Sequence, residues 1–232
     1  MTTAHSHQKN ICLSIAEPRL VDALAAAQRF EEKADIIEVR LDLLEQPAVQ
    51  PFIDTIKTPL LFTNRPQWEG GNWPGTEEER IALLVEAIAK GAAYVDIELL
   101  APEESLRPIV DTAAPTQTRV IVSWHNFDET PDDKVLLDIF RRQLGSGADI
   151  GKIVTMADDY SDNLRVLALQ LLAVREQFPL AAFCMGQAGK ISRAATLELG
   201  GVLTYAAVDR QSCTAAGQLS VDELHAIQEL VR

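Results

Sequence analysis

Lys152 lies within Asp149-Ile-Gly-Lys-Ile-Val-Thr-Met-Ala157, a run whose other residues read as a buried strand. Burial disfavours an ammonium, and a lysine amine that has shed its charge can attack a carbonyl carbon, which is the chemistry of a Schiff-base lysine. The segment alone also fits a lysine at a strand end, with its stem buried and its amine in water. Other polar residues sit in comparable runs. In Ile36-Ile-Glu-Val-Arg-Leu-Asp42 the strand period of two puts Glu38 and Arg40 on one face with Asp42 beyond, and it likewise aligns Asp96 with Glu98. A third run ends in Asn64-Arg65 and a fourth in Ser123-Trp124-His125. Each charge taken singly fits a salt bridge or a solvated strand end. Together on the strands of one fold, they would cost several kcal/mol per unpaired ion, a cost tolerated mainly at functional sites.

His125 is the natural proton-transfer group, since an imidazole with its ordinary pKa of about 6.5 can act as base and then as acid near neutrality. If its strand neighbours that of Lys152, the two side chains should approach each other. A core histidine bonded to a carbonyl is the other reading. Arg193 follows Ser192 at the expected start of a helix, where a guanidinium and a helix N-terminus together would bind a carboxylate or phosphate. An ordinary surface arginine fits that position too.

The elements that must position these groups alternate along the whole chain. Near-continuous apolar runs of strand length occupy 10–16, 36–42, 59–64, 94–100, 119–125, 150–156, 180–185 and 202–208, as expected of strands covered on both faces. Between them, Thr76 and Glu79 form a capping box ahead of Ile81, Leu84, Val85 and Ile88, and Gly91 supplies the stop. Pro18 to Phe30 reads as the first helix, Thr130-Pro131 as the start of another, and Leu164, Leu167, Leu171 and Val174 as the stripe of a third. Ser220 and Glu223 box the last helix, with Leu224, Ile227 and Val231 on its inner face, and fainter helical patterns cover 47–56, 102–113 and 192–199. Eight βα units in 232 residues predict a single-domain (β/α)8 TIM barrel, slightly below the usual size of about 250, with residues 1–9 as a flexible N-terminal arm. A doubly wound sheet is less well supported, since Cys12-Leu-Ser-Ile-Ala-Glu-Pro18 after the first strand has none of the glycines of a dinucleotide fingerprint. In a barrel the C-terminal strand ends carry the chemistry, and that is where these polar residues fall.

Composition narrows the class further. A net charge of -13 argues against nucleic-acid or anionic-membrane partners, so an anionic substrate would need a local basic cluster. No segment approaches the roughly 20 apolar residues of a membrane span, and Met1 to Lys9 lacks the apolar stretch of a secretory signal. Cys12, Cys184 and Cys213 show no CxxC spacing and read as free thiols, which suits a reducing, cytoplasmic compartment. His5 and His7 have no further ligand nearby, so no metal site is expected.

The stretches Glu38-Val-Arg40-Leu-Asp42, Thr63-Asn-Arg65 running to Glu69-Gly-Gly71, Val95-Asp-Ile-Glu98, Ser123-Trp-His125, Gly151-Lys152, Met185, Gly189-Lys-Ile-Ser-Arg193 and Gly217-Gln218, in this order, resemble type I 3-dehydroquinate dehydratase, a shikimate-pathway lyase that works through a lysine imine. The resemblance covers essentially the whole chain. It implies that Lys152 forms the imine, that His125 moves the proton, and that Glu69 is the acid supporting His125. It further implies that Arg193 and Gln218 meet the substrate carboxylate and its surroundings, and that Glu38, Arg40 and Arg65 hold ring hydroxyls. Met185 would be an apolar wall, and Ser14 and Thr214 would join the binding set. No cofactor is implied, the partner is a small carboxylate, and a homodimer is expected. Thr214-Ala-Ala-Gly-Gln218 replaces the Ser-Ala-Pro-Gly-Gln of many members, keeping a hydroxyl while losing a proline that would stiffen the loop. Val39 stands where some members carry an aromatic, and it should point away from the site. A class I Schiff-base aldolase or a non-catalytic sugar-acid binding protein remain the alternatives.

Overall fold

The computed structural model describes residues 10–209 and 215–231. The expected arm at residues 1–9 and the expected contact from Thr214 lie outside the described residues. The order of elements is β1 (Asn10–Ile15), α1 (Leu20–Phe30), β2 (Ile36–Arg40), α2 (Gln50–Thr55), β3 (Leu60–Thr63), α3 (Glu77–Ala89), β4 (Tyr94–Glu98), α4 (Glu103–Ala113), β5 (Arg119–Asn126), α5 (Asp133–Leu144), β6 (Ile150–Met156), α6 (Tyr160–Glu176), β7 (Leu180–Met185), α7 (Gly186–Glu198), β8 (Leu203–Ala207), β9 (Leu219–Ser220) and α8 (Val221–Val231). All strands are parallel and lie in the order β7-β6-β5-β4-β3-β2-β1-β8-β9. The sheet curls so that its ends meet. At the base the Val202 N–H donates to the Leu180 carbonyl at 3.1 Å, and at the mouth the Gly186 N–H donates to the Ala216 carbonyl at 3.1 Å. This is the (β/α)8 barrel expected from the alternating pattern.

The pleat explains the double apolar character of the strands. Ile11, Leu13, Ile37, Val39, Phe62, Val95 and Ile97 face outward onto the helices, and Val39 does turn away from the barrel lumen. Cys12, Ile36, Leu61, Ile121, Ile150, Ala181 and Leu203 fill the interior instead. Above that apolar floor the inward positions become polar, and the site begins there.

Most helix signals act as read. Thr76 accepts from the Glu79 N–H at 3.2 Å while Glu79 accepts from the Thr76 N–H at 2.8 Å, and Ser220 and Glu223 make the same reciprocal pair at 3.2 and 2.9 Å. Four expectations are corrected. The helix expected at Thr130-Pro131 begins at Asp133, because Asp132 is the cap that accepts from the Val135 N–H at 3.0 Å, while the Thr130 hydroxyl donates to the Met156 carbonyl at 2.7 Å. On α6 the stripe read as packing faces outward: Leu164 is 73% and Leu171 65% exposed, and Val166, Leu169 and Ala173 are buried in its place. The fainter pattern at 192–199 belongs to α7, which starts earlier, at Gly186, so Arg193 is not at its N-terminus. At the chain end Leu224 packs inward, but Val231 is exposed.

Candidate active site

The inward polar positions converge at the C-terminal mouth of the barrel. Ser14, Glu38, Arg40, Arg65, Glu69, His125, Lys152, Met185, Arg193 and Gln218 all line one cavity with about 560 Å³ of empty space out to its mouth, a size that suits a small-molecule ligand. Every described residue expected at the site is therefore brought together. Thr63, Phe127, Phe183 and Tyr205 join them.

Lys152 sits midway along β6 and is only 5% exposed. Its Nζ lies 3.2 Å from Asp96 Oδ2 and 4.0 Å from the centre of the Tyr205 ring. One carboxylate and one π-face thus hold the amine on two sides, and the ring also excludes water. Register pairs Lys152 with Ser123 on β5, which puts His125 one pleat nearer the mouth on the adjoining strand.

His125 is held at its edge. Its ring Nδ1 lies 2.8 Å from Glu69 Oε1, and the same oxygen accepts the His125 backbone N–H at 2.8 Å. Nδ1 is thereby committed to Glu69, which leaves Nε2 as the ring nitrogen available for chemistry. Glu69 reaches this position from the 3-10 turn Gln67–Glu69, which ends at Gly70 in the left-handed conformation with φ 73°. Burial keeps the His125 imidazole neutral well below its usual range, aided by the positive fields of Arg65, Lys152, Arg40 and Arg193. Burial also raises Glu69 to about 8; the Arg65 charge opposes that shift and the Glu98 and Asp96 charges add to it.

Beneath this pair lies a buried ionic lattice. Arg65 donates to Glu98, Ser123 and Asp96, each at 2.7 Å, and Ser123 donates to Asp96 at 2.6 Å. Burial alone would raise Asp96, yet the Arg65 and Lys152 charges and the Ser123 hydroxyl hold it below the usual carboxylate range. Glu98 also pairs at 2.7 Å with Arg80, a fully buried residue of α3 that binds Glu77 through two 2.8 Å contacts. Paired in this way, the charges can stay buried without each carrying a full desolvation penalty.

The remaining polar groups form the walls. Glu38 accepts from Ser14 and, at 2.8 Å, from Thr63. Arg40 forms a fork with Asp42 at 2.9 and 2.7 Å, and Asp42 in turn accepts the Arg65 and Asn72 backbone N–H groups, fixing the loop that carries Glu69. Arg193 lies over the Phe183 ring at 4.8 Å and donates from Nη2 to the Ala216 carbonyl at 3.3 Å. That carbonyl belongs to the segment leading to Gln218. Gly217 lets the segment come this close: it has φ +73°, and a side chain there would begin 2.1 Å from the Gly186 carbonyl oxygen.

Several of these residues are not announced by the sequence. Phe127 and Tyr205 follow from the period of two, counted onward from His125 and across β8, but an aromatic residue at a strand end carries no chemical signal by itself. Nothing local marks Arg80, which sits in an acidic first turn and could pass for a surface ion pair.

The site sits in a chain with close relatives. The family model described as Type I 3-dehydroquinase matches residues 11–232. A 3-dehydroquinate dehydratase of Desulfotalea psychrophila is 44% identical over 221 residues, covering 95% of this chain and 97% of that protein. Among solved structures, the Type I 3-dehydroquinate dehydratase of Clostridium difficile with covalent modified comenic acid matches with a TM-score of 0.88 and 27% identity, covering 97% of this chain and 92% of that one. The 3-dehydroquinate dehydratase of Geobacillus kaustophilus matches with a TM-score of 0.88 and 27% identity, covering 96% and 90% of the two chains.

Proposed function

The chain belongs to the type I 3-dehydroquinase family, which makes it a 3-dehydroquinate dehydratase and a lyase, and from that premise we propose that it works through an imine on Lys152 within the shikimate pathway. The observation that carries the proposal is the buried Lys152 amine and the neutral His125 imidazole lining one cavity. Membership of the family sets aside the aldolase and the binding protein that the sequence left open.

Lys152 Nζ adds to the C3 ketone of 3-dehydroquinate, and loss of water from the adduct gives an iminium. The iminium withdraws electrons and acidifies the C2 hydrogen, which His125 Nε2 removes as a proton to leave an enamine. The enamine expels the C1 hydroxyl, which departs as water with the proton returned from His125. Water then hydrolyses the conjugated imine, releasing 3-dehydroshikimate and the free lysine. Glu69 serves the proton transfers through Nδ1. With Glu69 ionised, Nδ1–H donates to it and Nε2 is bare; with Glu69 protonated, its O–H donates to Nδ1 and Nε2 carries the proton. Its pKa of about 8 keeps both forms within reach near neutrality. Arg193 and Gln218 take the substrate carboxylate and its surroundings, Glu38, Arg40 and Arg65 the ring hydroxyls, Ser14 and Thr214 complete the binding set, and Met185 is the apolar wall. The Clostridium difficile structure, described as holding covalent modified comenic acid, supports covalent chemistry in a relative of this chain.

Incubation with 3-dehydroquinate should build the ultraviolet absorbance of a conjugated product with no added metal or cofactor. Abolition of that signal by a chelator would count against the scheme. A second copy of the chain is the proposed partner. The support is the exposure of Tyr160, Leu164, Leu171 and Val174 on α6, large apolar side chains suited to self-association. Cys12 and Cys184 are free buried thiols, and no helix among the described residues is long and apolar enough to cross a membrane. The thiols support a reducing, cytoplasmic setting.

A further inference from the structure

Phe127 belongs to neither the charged set nor the hydrogen-bond network, yet its geometry ties it to the imidazole. It follows directly on β5 and lines the cavity while 43% exposed, so one side of the residue meets the site and the other meets water. Its ring stacks on that of His125, with centroids 5.8 Å apart and planes 13° from parallel. Two contacts fix it there. The Asn126 side chain accepts the backbone N–H groups of Asp128 and Glu129 at 2.9 and 3.0 Å, which sets the turn out of the strand. From the other side, Gly70 seats the ring: a side chain at Gly70 would begin 2.4 Å from Phe127 Cζ, so only glycine permits the contact. One short turn therefore grips the imidazole twice, with Glu69 at its edge and Gly70 behind the ring on its face.

We propose that Phe127 is a positioning residue for the proton transfer: its ring covers one face of His125, keeps bulk water off it and aims Nε2 into the cavity. The inference rests on the proton-transfer role assigned to His125. The charged groups facing that imidazole are Glu69 and Arg65 from the segment after β3, Arg40 from β2, Lys152 from β6 and Arg193 from α7. Arg65, Arg40 and Arg193 are permanent cations. Their field disfavours the imidazolium, and it acts most strongly where water is excluded. Removing the ring admits water, weakens both the field and the desolvation, and moves the imidazole back towards its ordinary pKa. The low pKa of the buried imidazole accords with this arrangement.

The test uses Phe127→Leu, Phe127→Tyr and Phe127→Ala in the full-length enzyme, read by NMR titration of the His125 ring, assigned by its disappearance in His125→Ala, and by kcat against pH. In the wild type the ring should gain its second proton only well below the ordinary imidazole range. In Phe127→Leu and Phe127→Ala its titration should move up towards the ordinary range, and kcat at pH 5.5, compared with the wild type at the same pH, should fall by up to about tenfold, the loss expected when an imidazole of ordinary pKa is about nine-tenths charged. KM should change less than kcat, and borohydride labelling of Lys152 should be retained, because imine formation precedes the affected step. Phe127→Tyr keeps the planar ring and should behave as the wild type. If Phe127→Ala is too unstable to titrate, Phe127→Leu decides. A His125 titration curve unchanged in Phe127→Leu overturns the proposal, as does a Phe127→Tyr curve shifted as far as that of the leucine variant. Turnover retained by His125→Ala would instead strike the reading of the site, and the NMR titration would still report what Phe127 does to the ring.

Discussion

At the scale of single residues the division of labour is sharp. In the proposed scheme Lys152 supplies the nucleophile, His125 the movable proton, and Glu69 the control of which imidazole nitrogen is bare. His125→Ala should leave imine formation possible and proton abstraction slow. We expect kcat to fall by about 10²- to 10⁴-fold, the range of a general base, with a borohydride-reducible adduct accumulating during turnover. Loss of rate without any adduct would mean that His125 acts before the imine. The convergence of Lys152 and His125 on one cavity was legible because lysine, histidine and paired charges are rare in apolar strands. What the residues left unread was pairing. Arg65 looks like a free cation in the chain, but Asp96, Glu98 and Ser123 take three of its five N–H donors, an outcome fixed by three strands meeting in space.

At the scale of elements, the strands were read to within about two residues because each is a near-continuous apolar run. The failures have local causes. On α6 two apolar stripes compete, and periodicity cannot choose between them. The buried one also carries Asn163 and Gln170, whose amides donate to the Ala188 carbonyl at 3.0 Å and to Thr196 at 2.9 Å on α7. Such polar residues look external until their partners are known. The start of α7, Gly186-Gln-Ala-Gly-Lys190, has no apolar spacing to announce it. Where the cap is visible, its worth can be measured: Thr76→Ala should lower stability by about 1 kcal/mol in urea denaturation. Arg80→Met removes a fully buried partner of Glu98 and should cost about 3 kcal/mol. A loss below about 0.5 kcal/mol would place it among ordinary surface pairs.

For the whole molecule, the site shapes stability against pH. Glu69 is raised to about 8 in the folded protein, so it keeps a proton that the unfolded chain releases, and its contribution is lost as pH rises through 8. His125 is depressed, so the unfolded chain takes up a proton below about 6.5 that the folded protein refuses. Between about 4.5 and 6.5 the two effects offset each other, because both states hold one proton on the pair. The pair should therefore add no slope across that window and a decline from 6.5 to 8 of up to about 2 kcal/mol. Glu69→Gln should abolish the alkaline decline; a decline surviving in that variant would assign it to another group. Association should report the outward face of α6, with Leu171→Glu converting a dimer to a monomer in light scattering. Intact-protein mass spectrometry after borohydride reduction in the presence of 3-dehydroquinate tests the central claim most directly. A single substrate-derived adduct is expected, mapped to Lys152 and lost in Lys152→Ala together with nearly all turnover. An unmodified chain during full turnover, or an adduct on another lysine, would contradict it.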